Sequence, residues 1–305
     1  MKSKGHKGLG NVLLVVRIWE GLGNQMFQYA YAKTLQKETG LPVFLEGRRL
    51  YKSSLPGEDL LVNRRCDLVN FNIRMKFIKP EYLKQWKYMK RKTIVQVIQF
   101  ELAKRGIGNS LFVTDEPNKF DYHEELIDLH KSSYIMGHFF NRKYVEPLRK
   151  ELLQEFSLKQ EMNIPKDLQK VFANYDSISV HIRRGDYLFV DFAQNICREM
   201  QKGQYYMRAM KYMATKQKNP LFLIFSDDIE WVKENFICPY NHVYISDRGF
   251  NNSEEMMLMS RCRHNIIANS TFSFWGAWLN QNETKEVIFP RHWLPSIIPK
   301  GWIPM

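Results

Sequence analysis

Cysteine is scarce in this chain: four in 305 residues, at 66, 197, 238 and 262, widely spaced and without a CxxC pair. That spacing suggests neither a zinc site nor a disulfide framework, and reduced thiols in a cytoplasmic protein are the simplest expectation. Long apolar runs are missing as well. The only one near the start, Val12 to Ile18, falls far short of the roughly 20 residues that cross a bilayer and has no signal-peptide cleavage region after it. The chain has no internal repeat, no low-complexity tract and no RNP, KH or zinc-finger pattern, so nucleic acid is not an expected partner. Acidic residues are in deficit, 32 against 45 basic, and the resulting +13 favours anionic partners such as a nucleotide, a nucleic acid or a membrane surface. With 44% apolar and 25% charged residues, the chain has the composition of a globular protein long enough for two domains.

Residues 1–11 are basic and glycine-rich and read as a flexible tail. Val12 to Ile18 then has a buried-strand pattern, Glu20 to Asn24 reads as a glycine turn, and Met26, Phe27, Ala30, Tyr31 and Leu35 keep helical spacing. Strand, glycine loop and helix in succession is a ligand-cradling arrangement. It also matches part of a dinucleotide fingerprint, because Gly21-x-Gly23 is followed by a second apolar strand ending in Glu46. Met26 stands where the third glycine should be, and its side chain opposes the close helix-to-strand contact of that fingerprint. From Glu81 to Arg105 a basic stretch with Leu83, Trp86, Ile94, Val97, Ile98 and Leu102 predicts one or two amphipathic helices. Their charges are a solvated face on the simpler reading, and a membrane-surface contact through Lys84, Lys87, Lys90, Arg91 and Lys92 on the other. Tyr134 to Phe139 reads as a strand, and Asn141 as the cap of a helix running to about Phe156.

After a polar stretch containing Pro165, five strands alternate with four helices: strands at 177–182, 221–225, 242–245, 265–268 and 286–289, helices near 204–216, 228–236, 253–262 and 272–280. Strict alternation implies right-handed crossovers and a parallel sheet, hence an α/β fold with a Rossmann-like second half. Loops that follow the strands of such a sheet emerge at one carboxyl edge, where ligands of open α/β sheets bind. The first of these loops is HIRRGDY, His181 to Tyr187, with adjacent guanidiniums at Arg183 and Arg184. Arginine forks match phosphate oxygens bidentately, so a fixed pair suits a diphosphate, although a surface salt-bridge cluster is the blander reading. The second loop carries Asp227 and Asp228, and on the simpler reading Ser226 or Asp227 caps the helix that starts near Asp228. The fourth carries Asn269, Ser270 and Thr271 before a helix, which suits an anion pocket. Phe272, Phe274, Trp275 and Trp278 read as core rather than as a sugar platform.

These stretches, with GLGNQMFQYA (Gly21 to Ala30), GHFFNRKYV (Gly137 to Val145), FSDD (Phe225 to Asp228) and CRHNIIANSTFSFWGAWL (Cys262 to Leu279), resemble the bacterial α-1,2-fucosyltransferase family, glycosyltransferase family 11, with its H-x-R-R-G-D signature. The resemblance implies a two-domain, GT-B-like glycosyltransferase: an acceptor-side α/β domain over 12–160 and a Rossmann-like GDP-fucose-binding domain over 161–305. It implies inverting transfer of L-fucose to an oligosaccharide or lipid-linked glycan, without metal or other cofactor, in the cytoplasm or peripherally at the inner face of a bacterial membrane. Catalytic roles fall to Arg183 and Arg184 on the diphosphate, with Asp186 orienting them. Donor contacts fall to Gly23, Asn24 and Gln25, to the backbone around His181, to Asp227 on guanine, and to Asn269, Ser270 and Thr271. Among the family's motifs, Phe274-Trp275 stands where an aromatic pair of slightly different composition is usual. The alternatives are an NAD-dependent Rossmann oxidoreductase using Gly21, Gly23 and Glu46, and a basic RNA-binding protein.

Overall fold

The computed structural model of the chain describes residues 12–47, 65–108, 110–114, 131–184 and 204–305. It divides into two compact units, Met1–Phe156 and Ser157–Met305. In the first unit, β1 (Leu14–Arg17), α1 (Leu22–Thr39) and β2 (Val43–Glu46) come first. After the 3₁₀ segments Asp67–Asn70 and Pro80–Lys90 come α2 (Ile94–Lys104), β3 (Ser110–Thr114), β4 (Ser132–Met136) and α3 (Arg149–Glu155). The four strands pair in parallel in the order β2-β1-β4-β3. Val15, Tyr134, Leu83 and Trp86 form one core cluster of this unit. Helix α1 is buried on most of its circumference, and Tyr31 stacks on Phe139 with ring centroids 3.8 Å apart. Gly40 ends it in the left-handed region, φ 67°, its N–H bonded to the Gln36 carbonyl; a residue with a Cβ is disfavoured there.

Three details of this unit depart from the sequence pattern. Helix α1 begins at Leu22, so Gly23 and Asn24 occupy its first turn rather than a glycine loop. The amphipathic stretch splits at Arg91, which adopts φ 48°, into the 3₁₀ segment and α2. The helix expected from Asn141 to Phe156 is three pieces, Arg142–Tyr144, Glu146–Leu148 and α3. Asn141 still caps, accepting the Lys143 N–H at 3.0 Å, but Pro147 has no N–H to continue the ladder.

In the second unit, α4 (Lys166–Asn174) lies in the polar stretch where no helix was predicted. It is followed by β5 (Asp176–Ile182), α5 (Gln204–Lys216), β6 (Pro220–Ser226), α6 (Ile229–Asn235), β7 (His242–Tyr244), α7 (Asn252–Arg261), β8 (His264–Ile266), α8 (Thr271–Leu279), β9 (Val287–Phe289) and β10 (Ile303–Pro304). The predicted parallel sheet is present, in the order β10-β9-β8-β5-β6-β7. Both its faces are covered, which is why β6 reads as a continuous apolar run. Leu221, Leu223 and Phe225 join Leu168 and Leu258 on one face, while Phe222 and Ile224 join Val180, Tyr206 and Met210 on the other.

Helix α8 is fixed against α7 and the sheet by close packing and a buried amide network. Asn280 donates to Asn265 Oδ1 at 2.8 Å and to the Cys262 carbonyl at 2.7 Å. Asn265 in turn donates to Ser179 Oγ at 2.7 Å and to the Met259 carbonyl at 2.9 Å. At Gly276, a Cβ would lie 2.8 Å from Met259 Cβ, closer than side chains pack. Gly276→Ala is therefore expected to cost about 1–3 kcal/mol by overpacking, read as a lowered Tm in thermal unfolding; an unchanged Tm would show that α7 and α8 separate freely.

Candidate active site

Strand β5 is apolar and β-branched on one face through Ile178, Val180 and Ile182, and this burial carries the chain to the carboxyl edge of the second unit's sheet. Its register with β6 pairs Ile182 with Ser226. The next residues of both strands therefore meet. Arg183 Nη1 lies 2.9 Å from Asp227 Oδ2, and Arg184 Nε lies 3.1 Å from Asp228 Oδ2. The Arg184 backbone N–H also donates to Asp227 Oδ1 at 2.9 Å. The Arg184 guanidinium lies over Trp231, Cζ 3.2 Å from the ring centroid. The two arginine side chains are 16% and 14% exposed, so the salt-bridge cluster of the blander reading is present, with its two guanidiniums held in place by their carboxylates.

Of the two expected caps, Ser226 takes a backbone N–H at the start of α6, while Asp227 turns to the arginines. Asp228 is the N-cap residue of α6, yet its side chain makes no cap hydrogen bond. Ser226 Oγ takes the Asp228 N–H instead, at 3.1 Å. Both aspartates face the arginines, in the orienting role that the resemblance gives Asp186, a residue outside the described ones. Sequence reasoning missed Trp231 and Glu255. Trp231 stands three residues after Asp228, a spacing that returns a helical side chain to the same side. Glu255, in the first turn of α7, bonds Ser246, whose Oγ accepts the Ser226 N–H at 3.0 Å. Burial raises its carboxyl to about 7, opposed by the Ser246 hydrogen bond and reinforced by the charge of Asp227.

His181 is buried, with its ring 5.5 Å from Phe272. Burial and the neighbouring Arg183 lower its pKa to about 3, so the imidazole is neutral. Its Nδ1 has no hydrogen-bond partner among the described residues. The His181 carbonyl accepts the Tyr206 hydroxyl at 3.0 Å. Asn269 and Ser270 are buried at the start of α8, where Ser270 is the N-cap residue, and Thr271 opens the helix. Phe274, Trp275 and Trp278 are buried, as the core reading expects, while Phe272 is partly buried and packs against the core. His181, Arg183, Arg184, Asp227 and the Asn269–Thr271 turn thus share one edge of one sheet.

Gly23, Asn24 and Gln25 belong to the first unit. Gln25 is fully buried, and its amide donates to the carbonyls of Glu20 at 2.8 Å and Arg65 at 2.9 Å. Asn24 donates to the Glu20 carboxylate, which also meets His138 Nε2 at 3.2 Å. Glu20 sits at φ 65°, so this bracing holds a turn that a non-glycine residue seldom adopts. Glu46, which an NAD site needs facing a ribose, is buried and accepts the Tyr134 hydroxyl at 2.8 Å. A cavity of about 630 Å³ at the amino edge of the second sheet is lined by Asp176, Arg263, Lys216 and Glu286. Those charges pair with one another, Arg263 with Asp176 and Lys216 with Glu286.

A parallel sheet with a fixed arginine pair at its carboxyl edge suits a nucleotide-using enzyme, and comparison with known proteins defines the class as glycosyltransferase. The model of Glycosyl transferase family 11 matches residues 11–293, and the chain belongs to that family. It is 31% identical over 300 residues to the O-antigen biosynthesis glycosyltransferase WbnK of Escherichia coli, covering 90% of this chain and 92% of the relative. It is 32% identical over 290 residues to an alpha-1,2-colitosyltransferase of Escherichia coli, covering 92% of each. Its fold is similar to the crystal structure of fucosyltransferase NodZ from Bradyrhizobium, with a TM-score of 0.50 and 15% identity over 87% of this chain and 92% of that one. The expected α/β, GT-B-like fold class therefore holds.

The raised Glu255 carboxyl has a thermodynamic consequence. Its ordinary value is 4.5 and its folded value about 7, so the folded chain keeps a proton that the unfolded chain releases. The stability this contributes is complete below the lower value and is lost as pH rises through the upper one. Glu255→Gln, which stays uncharged, should unfold at a higher temperature than the native protein at about pH 8, with the gap closing at about pH 4. Scanning calorimetry across that window checks it, and a gap independent of pH would refute the assignment.

Proposed function

We propose that the protein transfers L-fucose from GDP-β-L-fucose, with inversion, to a hydroxyl of a glycan acceptor, O2 of a galactoside, in surface-polysaccharide synthesis. The observation that carries this reading is the Arg183–Arg184 pair held by Asp227, Asp228 and Trp231 at the sheet edge. When the bond from the anomeric carbon to the β-phosphate oxygen breaks, negative charge accumulates on the departing GDP while the sugar gains oxocarbenium character. Donors fixed where that charge grows lower the barrier without reorganising. The two guanidiniums supply the charge, Ser270 and Thr271 add neutral donors, and no metal takes part. The acceptor oxygen attacks the opposite face of the anomeric carbon, forming the glycosidic bond as the bond to GDP breaks, and its proton passes to solvent water. A relative named for O-antigen biosynthesis supports a glycan acceptor; we place the acceptor, an oligosaccharide or lipid-linked glycan, in the cytoplasm or at the inner face of the membrane.

One observation favours a second donor: the colitosyltransferase is as similar to this chain as the O-antigen transferase is. Colitose is fucose without one ring hydroxyl. A site built to bond that hydroxyl rejects the analogue lacking it by about 10⁴-fold. Turnover of GDP-fucose and GDP-colitose compared side by side on a galactoside panel, with the product linkage mapped by NMR, separates the two. Arg183→Ala and Arg184→Lys should each lower kcat on the order of 10²-fold in a chain that still folds; a lysine cannot reproduce the planar fork, and the alanine leaves Asp227 unpaired, which lowers Tm. EDTA should leave turnover unaffected. Full activity in both variants would remove the pair from the reaction.

A further inference from the structure

The exposed side of α2 is its apolar side. Of nine exposed large hydrophobic side chains among the described residues, five lie on this eleven-residue helix: Ile94, Val95, Val97, Ile98 and Leu102. Ile94 is 79% exposed and Ile98 54%. At about 100° per residue, the five fan over roughly 160° of the circumference. Ala103, Phe100 and Gln96 face the other way, with Phe100 4.8 Å from Phe112 of β3. The helix start is secured, since Thr93 Oγ1 accepts the Gln96 N–H at 3.3 Å and the Gln96 side chain takes the Lys92 N–H at 2.9 Å. Tyr82 and Ile107, at 57% and 54% exposure, belong to the adjoining segments. Single exposed apolar residues are ordinary, but a cluster of this kind marks an interaction surface.

Cations flank the cluster. Lys84, Lys87, Lys90, Arg91 and Lys92 precede it and Lys104 and Arg105 follow it, all of them exposed. Arg91 and Lys104 lie over the Phe100 ring at 5.0 and 5.6 Å. Glu101, the one acidic residue of α2, pairs with Lys104 at 3.7 Å. A second copy of the chain would bring seven like charges against seven, on a protein of net charge +13. Opposite charge above an apolar layer is the chemistry of an anionic bilayer surface, where aliphatic side chains enter the headgroup boundary and lysines reach back to the phosphates.

We propose that α2 and its flanking cations form the face by which this enzyme docks on an anionic phospholipid surface. Docking deepens the proposed meeting with a lipid-linked acceptor, but it is a property of the first unit alone, and its test is separable from the transfer assay. The full chain is mixed with phosphatidylcholine vesicles, with or without phosphatidylglycerol, and sedimented. Binding is expected to the anionic vesicles alone. Lys84→Gln, Lys87→Gln and Lys92→Gln together should weaken it on the order of 100-fold, at roughly fivefold per charge. Ile94→Ser with Ile98→Ser should weaken it at least tenfold. Both sets should leave turnover of GDP-fucose with a soluble acceptor unchanged, because the altered side chains are exposed and stand on another unit than the arginine pair. The proposal falls if native protein and variants sediment alike, or if the anionic vesicles bind nothing. It also falls if, without lipid, the native chain forms a dimer that the serine variant dissolves, since the face would then belong to a second copy.

Discussion

The pairing of Ile182 with Ser226 at the end of two parallel strands is the constraint from which the candidate site follows. Seven consecutive pairs hold β5 against β6, and both faces of β6 are buried. A slip of one residue would turn each apolar side chain toward the opposite layer, so the register is strongly specified. That register brings Arg183 to Asp227 and Arg184 to Asp228. Two cations adjacent in sequence repel one another. Each has its own carboxylate here, and the second also lies against an indole ring. The site is therefore a consequence of core packing two residues away.

The buried amide network supports the other half of this edge. Asn265, Ser179 and Asn280 have little exposure, and their hydrogen bonds join β5, β8 and the end of α8. Removing one partner would strand the others without water, at about 1–3 kcal/mol for each group left unsatisfied. Such a network fixes position as well as contributing stability. Helix α8, whose first turn carries Ser270 and Thr271, is held from its far end by Asn280 and from its flank by the close approach of Gly276 to Met259. Placement of the polar turn thus depends on residues with no polar role at the edge itself.

Much of this was legible in the chain because its causes are local. Alternating apolar runs and helical spacings marked every strand of the second sheet except β10, which spans two residues, and strict alternation implied the shared carboxyl edge. What failed to show depended on partners distant in sequence. Nothing around Asp227 tells a capping carboxylate from one facing an arginine, because the two need the same residue at the same loop position; only the β5–β6 register decides. Trp231 reads as one more half-buried helix residue until the chain 47 positions earlier arrives above it. Gln25 has the chemistry of a ligand donor, and the carbonyls that occupy its amide include one from Arg65, beyond any local pattern. At Asn141 the error was of another kind: Pro147 was visible, and the helical periodicity of Leu148, Leu152 and Leu153 outweighed it.

The indole beneath Arg184 gives that cation a direction. A guanidinium attracts anions from all around its rim and, more weakly, across its faces; with one face closed by Trp231 and the Nε corner occupied by Asp228, an oxyanion approaching Arg184 is steered toward the Nη rim, in the plane of the fork. An arginine so restricted distinguishes anions by the angle at which their oxygens arrive. Its discrimination then belongs to stereochemistry as much as to electrostatics, and a floppy lysine of equal charge has none of it.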